Sequence, residues 1–136
     1  MADFLPLPDK KYRVIYADPP WEYRQNGGAN GGRGMAKTHY PTMATEVKVL
    51  EAWGFTYKTA AFVWIKKNRR NGGNFWGMGA YTRANAEVCL LGVSPGFKAR
   101  EQIRSHRVHQ VIEAPFEGHS KKPDETRRRI VELLGD

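Results

Sequence analysis

The sequence predicts an α/β fold with a small sheet and a ligand site where a strand ends. Short β-branched and aromatic runs alternate with helical patterns, and an Asp-Pro-Pro-Trp tetrapeptide follows the first of these runs. Open α/β sheets bind their ligands outside the carboxyl ends of the strands. Two successive prolines cannot continue a central strand, so Asp18, Pro19, Pro20 and Trp21 mark such an end.

Hydrophobic spacing and the residues that start or stop each segment give the order of elements. The predicted strands are residues 12–17, 59–66, 87–93 and, more weakly, 107–113, and the predicted helices are residues 42–53 and 123–134. In the first helix Val47, Leu50 and Trp53 recur at helical spacing, and Gly54 ends it. The second helix begins at Pro123 and carries an apolar stripe near its end.

Length and composition limit the class of protein. The 136 residues suggest one domain, residues 1–136, with residues 1–11 as an N-terminal extension and residues 22–39 and 68–78 as flexible loops. An apolar fraction of 40% argues against disorder, and no apolar run approaches the ~20 residues of a membrane helix. The single Cys89 is expected to be a small core residue, and the missing secretory signal predicts a cytoplasmic protein.

The charge pattern indicates a polyanionic partner. The formal net charge is +8, and basic residues cluster at positions 66–70 and at Lys121 and Lys122. Clustered cations are typical of contact with nucleic-acid phosphates, whereas the alternative is that the charge serves solubility alone. Nucleic acid is therefore the predicted partner, and no membrane partner is predicted.

The tetrapeptide has the groups needed to activate an aromatic amine. The exocyclic amine of adenine is a poor nucleophile because its lone pair is delocalised into the ring. The Asp18 carboxylate and the Pro19 carbonyl can accept its two N–H hydrogens, and the successive prolines hold both acceptors in place. Trp21 offers a flat face for stacking the base. The alternative is a structural turn in which Asp18 caps and the prolines terminate the strand.

Six ordered segments of the chain resemble the MT-A70 family of adenine-N6 methyltransferases. These segments are residues 14–21, 39–43, 53–59, 63–66, 77–87 and 119–125. The resemblance implies a Rossmann-like methyltransferase fold with a reduced sheet, in a permuted order that places the catalytic motif first and the cofactor motif last. It also implies S-adenosyl-L-methionine as cofactor and the N6 amine of adenine in DNA or RNA as the methyl acceptor.

The resemblance implies roles for individual residues. Asp18, Pro19, Pro20 and Trp21 match the catalytic motif, and the cofactor contacts are matched by Lys122, Asp18 and Ser120. The residues matched to substrate contacts are Tyr40, Glu87, Lys66, Arg69 and Arg70. A lysine just before a helix start also suits an anion on general grounds, although it could be a solvated surface residue. For Glu87 the alternative is a polar residue that merely enters a strand.

The sequence departs from the family pattern at two places. Family members carry a further strand and helix between the counterparts of Leu50 and Glu51, and they continue past the counterpart of Asp136 into a segment that contacts the cofactor's ribose and adenine. The chain is then expected to be a natural compact form completed by self-association or a partner, or a degenerate or truncated relative. Two rival functions follow: a catalytically inactive nucleic-acid-binding relative, or a structural subunit of a partner methyltransferase.

Two further patterns receive structural interpretations. His106 and His109 are spaced as metal ligands can be, but His119 is the one other nearby candidate, and no metal site is predicted. Trp53, Trp64 and Trp76 are predicted to pack in the core or against loops.

Overall fold

A computed structural model describes residues 9–18, 46–79, 81–118 and 121–136. The elements are α1 (Glu46–Ala52), β1 (Thr56–Lys67), β2 (Ala86–Val93), a short 3-10 helix (Ala99–Gln102), β3 (Val111–Pro115) and α2 (Asp124–Leu134). The fold is mixed α/β, which confirms the predicted class. The permuted Rossmann-like order stays a prediction.

The described strands form one sheet in the order β2-β1-β3, with β1 in the centre. Trp64 on β1 lies opposite Glu87 of antiparallel β2 and opposite Ile112 of parallel β3. Because β2 runs against the other two strands, its first residues lie beside the carboxyl ends of β1 and β3. Side chains from all three strands can therefore meet at one edge of the sheet.

The main core lies on one face of the two parallel strands. Phe62 and Trp64 alternate along β1, as residues on one face of a strand must, and they pack with the fully buried Ile112 of β3. Trp64 Nε1 donates a hydrogen bond of 2.9 Å to the Ala114 carbonyl, so its polar edge is satisfied. Ile130 of α2 packs against this cluster. The predicted core position of Trp64 is confirmed.

Helix α1 packs against β1 and β2, with Val49 in place of the predicted Val47 on its buried face. Val49 is fully buried, whereas Val47 is exposed. Residue 49 shares a helix face with Leu50 and Trp53, and residue 47 lies about 200° around the helix from residue 49. Gly54 ends the helix at a φ of 83°, as its position predicts. Residues 42–45 of the predicted helix lie outside the described residues.

Helix α2 confirms the predicted final helix, and its side chains form hydrogen bonds to the edge of β3. Glu125 accepts hydrogen bonds from Arg128 and Arg129, which lower the pKa of its carboxyl to about 2. Arg129 also donates to the carbonyl oxygens of His109 and Val111, each at 2.7 Å. These bonds occupy carbonyl groups at an edge strand that would otherwise face water.

The predicted strand at residues 12–17 is wrong. This stretch has no regular secondary structure and pairs with no strand of the described sheet. Its side chains attach it to α2 instead: Arg13 donates to the carbonyl oxygens of Leu134 at 3.1 Å and Asp136 at 2.7 Å. Strand propensity reports how well side chains fit a pleated surface, and it does not supply a partner strand. Asp18 therefore follows an irregular segment rather than a strand.

Two smaller expectations are met in part. The weak fourth strand is Val111–Pro115, so it begins four residues later than predicted and extends two residues further. Cys89 on β2 is half-buried, and burial raises the pKa of its thiol.

Among the described residues, no helix combines the length and apolar character needed to cross a membrane.

Candidate active site

Four charged side chains meet at the edge where β1 ends. Lys66 comes from the end of β1, Glu87 from the start of β2, Lys122 from the residues just before α2, and Asp18 from the end of the irregular segment 9–18. Lys66 Nζ lies 2.7 Å from Glu87 Oε1, and Glu87 Oε2 lies 2.8 Å from Lys122 Nζ. Lys122 Nζ lies 3.4 Å from Asp18 Oδ2. We call these four residues the charged cluster.

Lys66 is fixed on the inner side of the charged cluster. Its Nζ lies 5.2 Å from the ring centroid of Trp64 and 5.6 Å from that of Phe116, so two aromatic rings stabilise the cation. Its side chain is mostly buried, and its ion-pair partner is Glu87. The structure thus places Lys66 in the site that the sequence predicts, facing a carboxylate rather than open solvent.

The pKa shifts show which charges the cluster stabilises. Partial burial alone would raise the pKa of Glu87, but hydrogen bonds from Lys122 and Lys66 outweigh it and hold the pKa below its ordinary value. Burial alone would lower the pKa of Lys122, but its bonds to Glu87 and its contact with Asp18 raise it above the ordinary value. Glu87 is therefore anionic and Lys122 cationic at neutral pH.

Asp18 is the outermost member of the charged cluster. Its side chain is 42% exposed, and its 3.4 Å contact with Lys122 is longer than the 2.8 Å contact between Lys122 and Glu87. The carboxylate is thus held at one oxygen and still faces solvent.

Tyr16, two residues before Asp18, contacts α2, which sequence reasoning did not anticipate. Its hydroxyl is hydrogen-bonded to Thr126 on α2, although partial burial beside Cys89 raises the net pKa of the phenol. Thr126 is the buried polar side chain of α2. Nothing in the sequence marks it, since threonines on helices are usually exposed. The Tyr16 contact and the Arg13 bonds place the segment that ends at Asp18 against α2.

The predicted phosphate contacts lie in a turn that follows β1. The Asn68 amide donates 2.7 Å to the Gly73 carbonyl, so the first part of the predicted loop at 68–78 closes on itself. Arg69 reaches the Glu117 carbonyl at 3.4 Å, and Arg70 is exposed. Both guanidinium groups lie at the surface, where phosphates could reach them.

Several predicted site residues cannot be placed. Pro19, Pro20, Trp21, Tyr40 and Ser120 lie outside the described residues. Within the described ranges, no group of three or more His, Cys, Asp or Glu side chains could hold a metal ion.

The charged cluster fits the amino-acid end of an S-adenosylmethionine molecule. That end carries a carboxylate and an ammonium, and the cluster presents the Lys122 ammonium beside the carboxylates of Asp18 and Glu87. Lys122 also stands directly before Pro123, the residue that caps the start of α2, where unpaired backbone N–H groups favour an anion. The charged cluster therefore offers a cation to the carboxylate of the ligand, whereas both oxygens of Glu87 already pair with lysines.

The fold and site define a mixed α/β protein whose charged cluster lies at the edge where β1 ends, the edge at which open α/β sheets bind ligands. Comparison with known proteins identifies the family. The model of the MT-A70 family matches residues 35–135, and the chain belongs to that family.

A curated relative supports this assignment. The Type II methyltransferase M.MunI from Mycoplasma sp is 29% identical over 166 aligned positions, which cover 88% of this chain and 66% of the relative. The chain thus spans slightly less than two thirds of the relative's length. The alignment has more positions than the 136 residues of this chain, so parts of the relative have no counterpart here. This agrees with the internal shortening that the sequence pattern indicates.

Proposed function

We propose that the chain is an S-adenosyl-L-methionine-dependent methyltransferase that acts on the N6 amine of adenine in DNA or RNA. The observation that carries the proposal is the placement of Asp18, a solvent-facing carboxylate beside Lys122 and directly before the Pro-Pro-Trp of the family motif. Membership of the MT-A70 family and the similarity to a Type II methyltransferase support it.

In the proposed reaction Asp18 acts on the amine. Its free oxygen accepts one N–H hydrogen and thereby directs the nitrogen lone pair away from the ring. The cofactor, when bound, supplies a methyl group attached to a sulfonium. As the nitrogen–carbon bond forms, the sulfur–methyl bond would break and its electron pair would leave with the sulfur as a neutral thioether. The amine would then be cationic, and the nearby Asp18 carboxylate would stabilise that charge. The exposed Asp18 carboxylate would accept the proton that the cationic amine releases and pass it to solvent.

Lys122 and Glu87 have a separate task in this proposal. Lys122 binds the cofactor's carboxylate and so orients it toward Asp18. Both oxygens of Glu87 already accept hydrogen bonds from lysines, so the first role of Glu87 is to position Lys122. A contact between Glu87 and the target base would have to replace one of these bonds.

The function is tested by a radiolabelled methyl-transfer assay with the purified chain on pools of DNA and RNA. We expect label in N6-methyladenine of at least one pool. Cofactor and nucleic-acid binding without transfer would favour the inactive binding relative. Transfer that appears only after a partner methyltransferase is added would favour the structural subunit.

Nucleic-acid affinity is expected to fall steeply with salt, because phosphate contacts release counterions. Substituting one phosphate-contacting cation lowers the slope of log affinity against log salt by about 1. We expect this change for Arg70→Ala, whose guanidinium is exposed in the turn after β1. Arg127→Ala, an exposed arginine on α2, is the matched control and should leave the slope unchanged. A flat salt response of the unaltered chain would contradict phosphate binding.

A further inference from the structure

Trp76 does not pack, contrary to the prediction from sequence. Its side chain is 77% exposed, and two other large side chains of the same loop are as open: Met78 at 83% and Tyr81 at 98%. Single exposed apolar side chains are ordinary, whereas large exposed apolar patches mark interaction sites. Three large side chains exposed within one short loop make the loop between β1 and β2 a candidate surface for a ligand with flat apolar groups.

The backbone around Trp76 is anchored on its inner side. The Phe75 amide donates 2.9 Å to the Lys66 carbonyl, and the Phe75 ring stacks on Phe116 with centroids 5.2 Å apart. A Cβ atom at Gly77 would overlap the carbonyl oxygen of Ala84. Residues 75 and 77 thus face the protein, and Trp76 between them faces solvent.

The next turn of this loop repeats the arrangement. A Cβ atom at Gly79 would overlap the carbonyl oxygen of Thr82, so the two limbs of the loop touch backbone to backbone. Only glycine allows this approach at both positions. Met78 lies between the two glycines and is exposed as Trp76 is. The exposure of these side chains follows from how the loop is built.

The charges of the loop identify the kind of ligand. Residues 68–85 contain three arginines and no acidic residue. Arg83 Nη1 lies 3.4 Å from the Met78 sulfur, so one guanidinium is held against the exposed apolar group. Flat aromatic faces interleaved with cations are the combination that binds unpaired nucleotides, whose bases stack while their phosphates pair with arginine.

We propose that Trp76 and Tyr81 form a stacking surface for unpaired nucleotides that flank the target base. The inference rests on the proposed function, in which nucleic acid is the substrate, and it specifies a single-stranded or locally opened one. The Phe75–Lys66 backbone bond joins this loop to the end of β1, the strand that contributes Lys66 to the charged cluster. In a closed duplex the bases are already stacked on each other and present no face to Trp76.

The test measures binding of the full chain to a fluorescent oligothymidylate of about 12 nucleotides, a length that suits such surfaces. We expect Trp76→Ala and Tyr81→Ala each to weaken binding about fivefold or more, as loss of one stacked base predicts. Trp76→Phe should retain most of the affinity. Phe97→Ala, which removes an exposed aromatic from another turn, is the matched control. Affinity for a duplex of the same length should change by less than about twofold in every variant.

The ligand contains no adenine, so the outcome is independent of whether the chain methylates N6. Loss of affinity in Trp76→Ala supports the stacking surface even if the methyl-transfer assay fails. Unchanged single-strand binding overturns the inference, as does an equal loss on single strands and duplexes. If Trp76→Ala instead converts self-associated chains to monomers in light scattering, without affecting nucleic acid, the loop is a contact between copies and the inference is wrong.

Discussion

Replacing Asp18 by alanine is expected to lower methyl transfer at least a hundredfold while leaving nucleic-acid retention nearly unchanged. The carboxylate is the acceptor that localises the lone pair of the target nitrogen, and it stabilises the cation that forms as the bond to carbon is made. Removing one such preorganised electrostatic group typically costs 10² to 10³ in rate. Phosphate contacts come from other residues, so filter retention of labelled DNA or RNA should persist.

Two further variants make this expectation specific. Asp18→Asn keeps the shape of the side chain but replaces one acceptor by a donor, and it should be about as inactive as Asp18→Ala. Asp9→Ala removes a carboxylate from an exposed position in the same described segment, and methyl transfer should remain normal. Circular dichroism should show all three variants folded, since Asp18 is exposed. Methylation by Asp18→Ala at the unaltered rate would contradict the assigned role.

The sequence predicts most of the secondary structure because those signals are local. Gly54 ends α1 by adopting positive φ, and Pro123 and the following acidic residues start α2. The apolar run of β1 is long enough to specify a central strand, although the strand extends further at both ends than predicted. In each of these cases residues close in sequence are sufficient to specify the element.

The errors arise where a distant partner decides the outcome. Residues 12–17 have the composition of a strand, yet side-chain bonds to α2 hold them outside the described sheet. Trp76 has the large apolar side chain typical of a core residue. The close contact between Gly77 and the second limb of the loop nevertheless leaves the Trp76 side chain in solvent. Neither partner can be read from the few residues around the feature.

The residues of the candidate site can be predicted from sequence, but the contacts between them cannot. Asp18, Glu87, Lys66 and Lys122 can each be singled out from sequence motifs, because the residues stand in matched segments. The ion pairs that join these four residues cannot be predicted from sequence. They depend on the antiparallel register that places Glu87 opposite Trp64 and on the position of α2. The structure adds the geometry, and with it the interpretation of Glu87 as the residue that positions Lys122.

That geometry predicts the effect of Lys122→Ala on cofactor binding. The Lys122 ammonium is the group offered to the cofactor's carboxylate, and hydrogen bonds to charged groups typically contribute about 1.5–3 kcal/mol. We expect cofactor affinity, measured by isothermal titration calorimetry, to fall about 10- to 100-fold. Lys121→Ala is the matched control. The side chain of Lys121 pairs with Glu117 at the surface and not with the charged cluster.

A second measurement separates loss of the lysine from general damage to the site. Hydrogen bonding by Lys122 is the largest of the effects that lower the pKa of Glu87, and burial acts in the opposite direction. Removing Lys122 should therefore raise the Glu87 pKa, which NMR titration can follow. Lys122→Arg keeps a cation beside Glu87, so it should keep that pKa low and restore part of the cofactor affinity. If Lys122→Ala bound cofactor as tightly as Lys121→Ala while the Glu87 pKa rose, the charged cluster would be a structural ion-pair network and the cofactor would have to bind elsewhere.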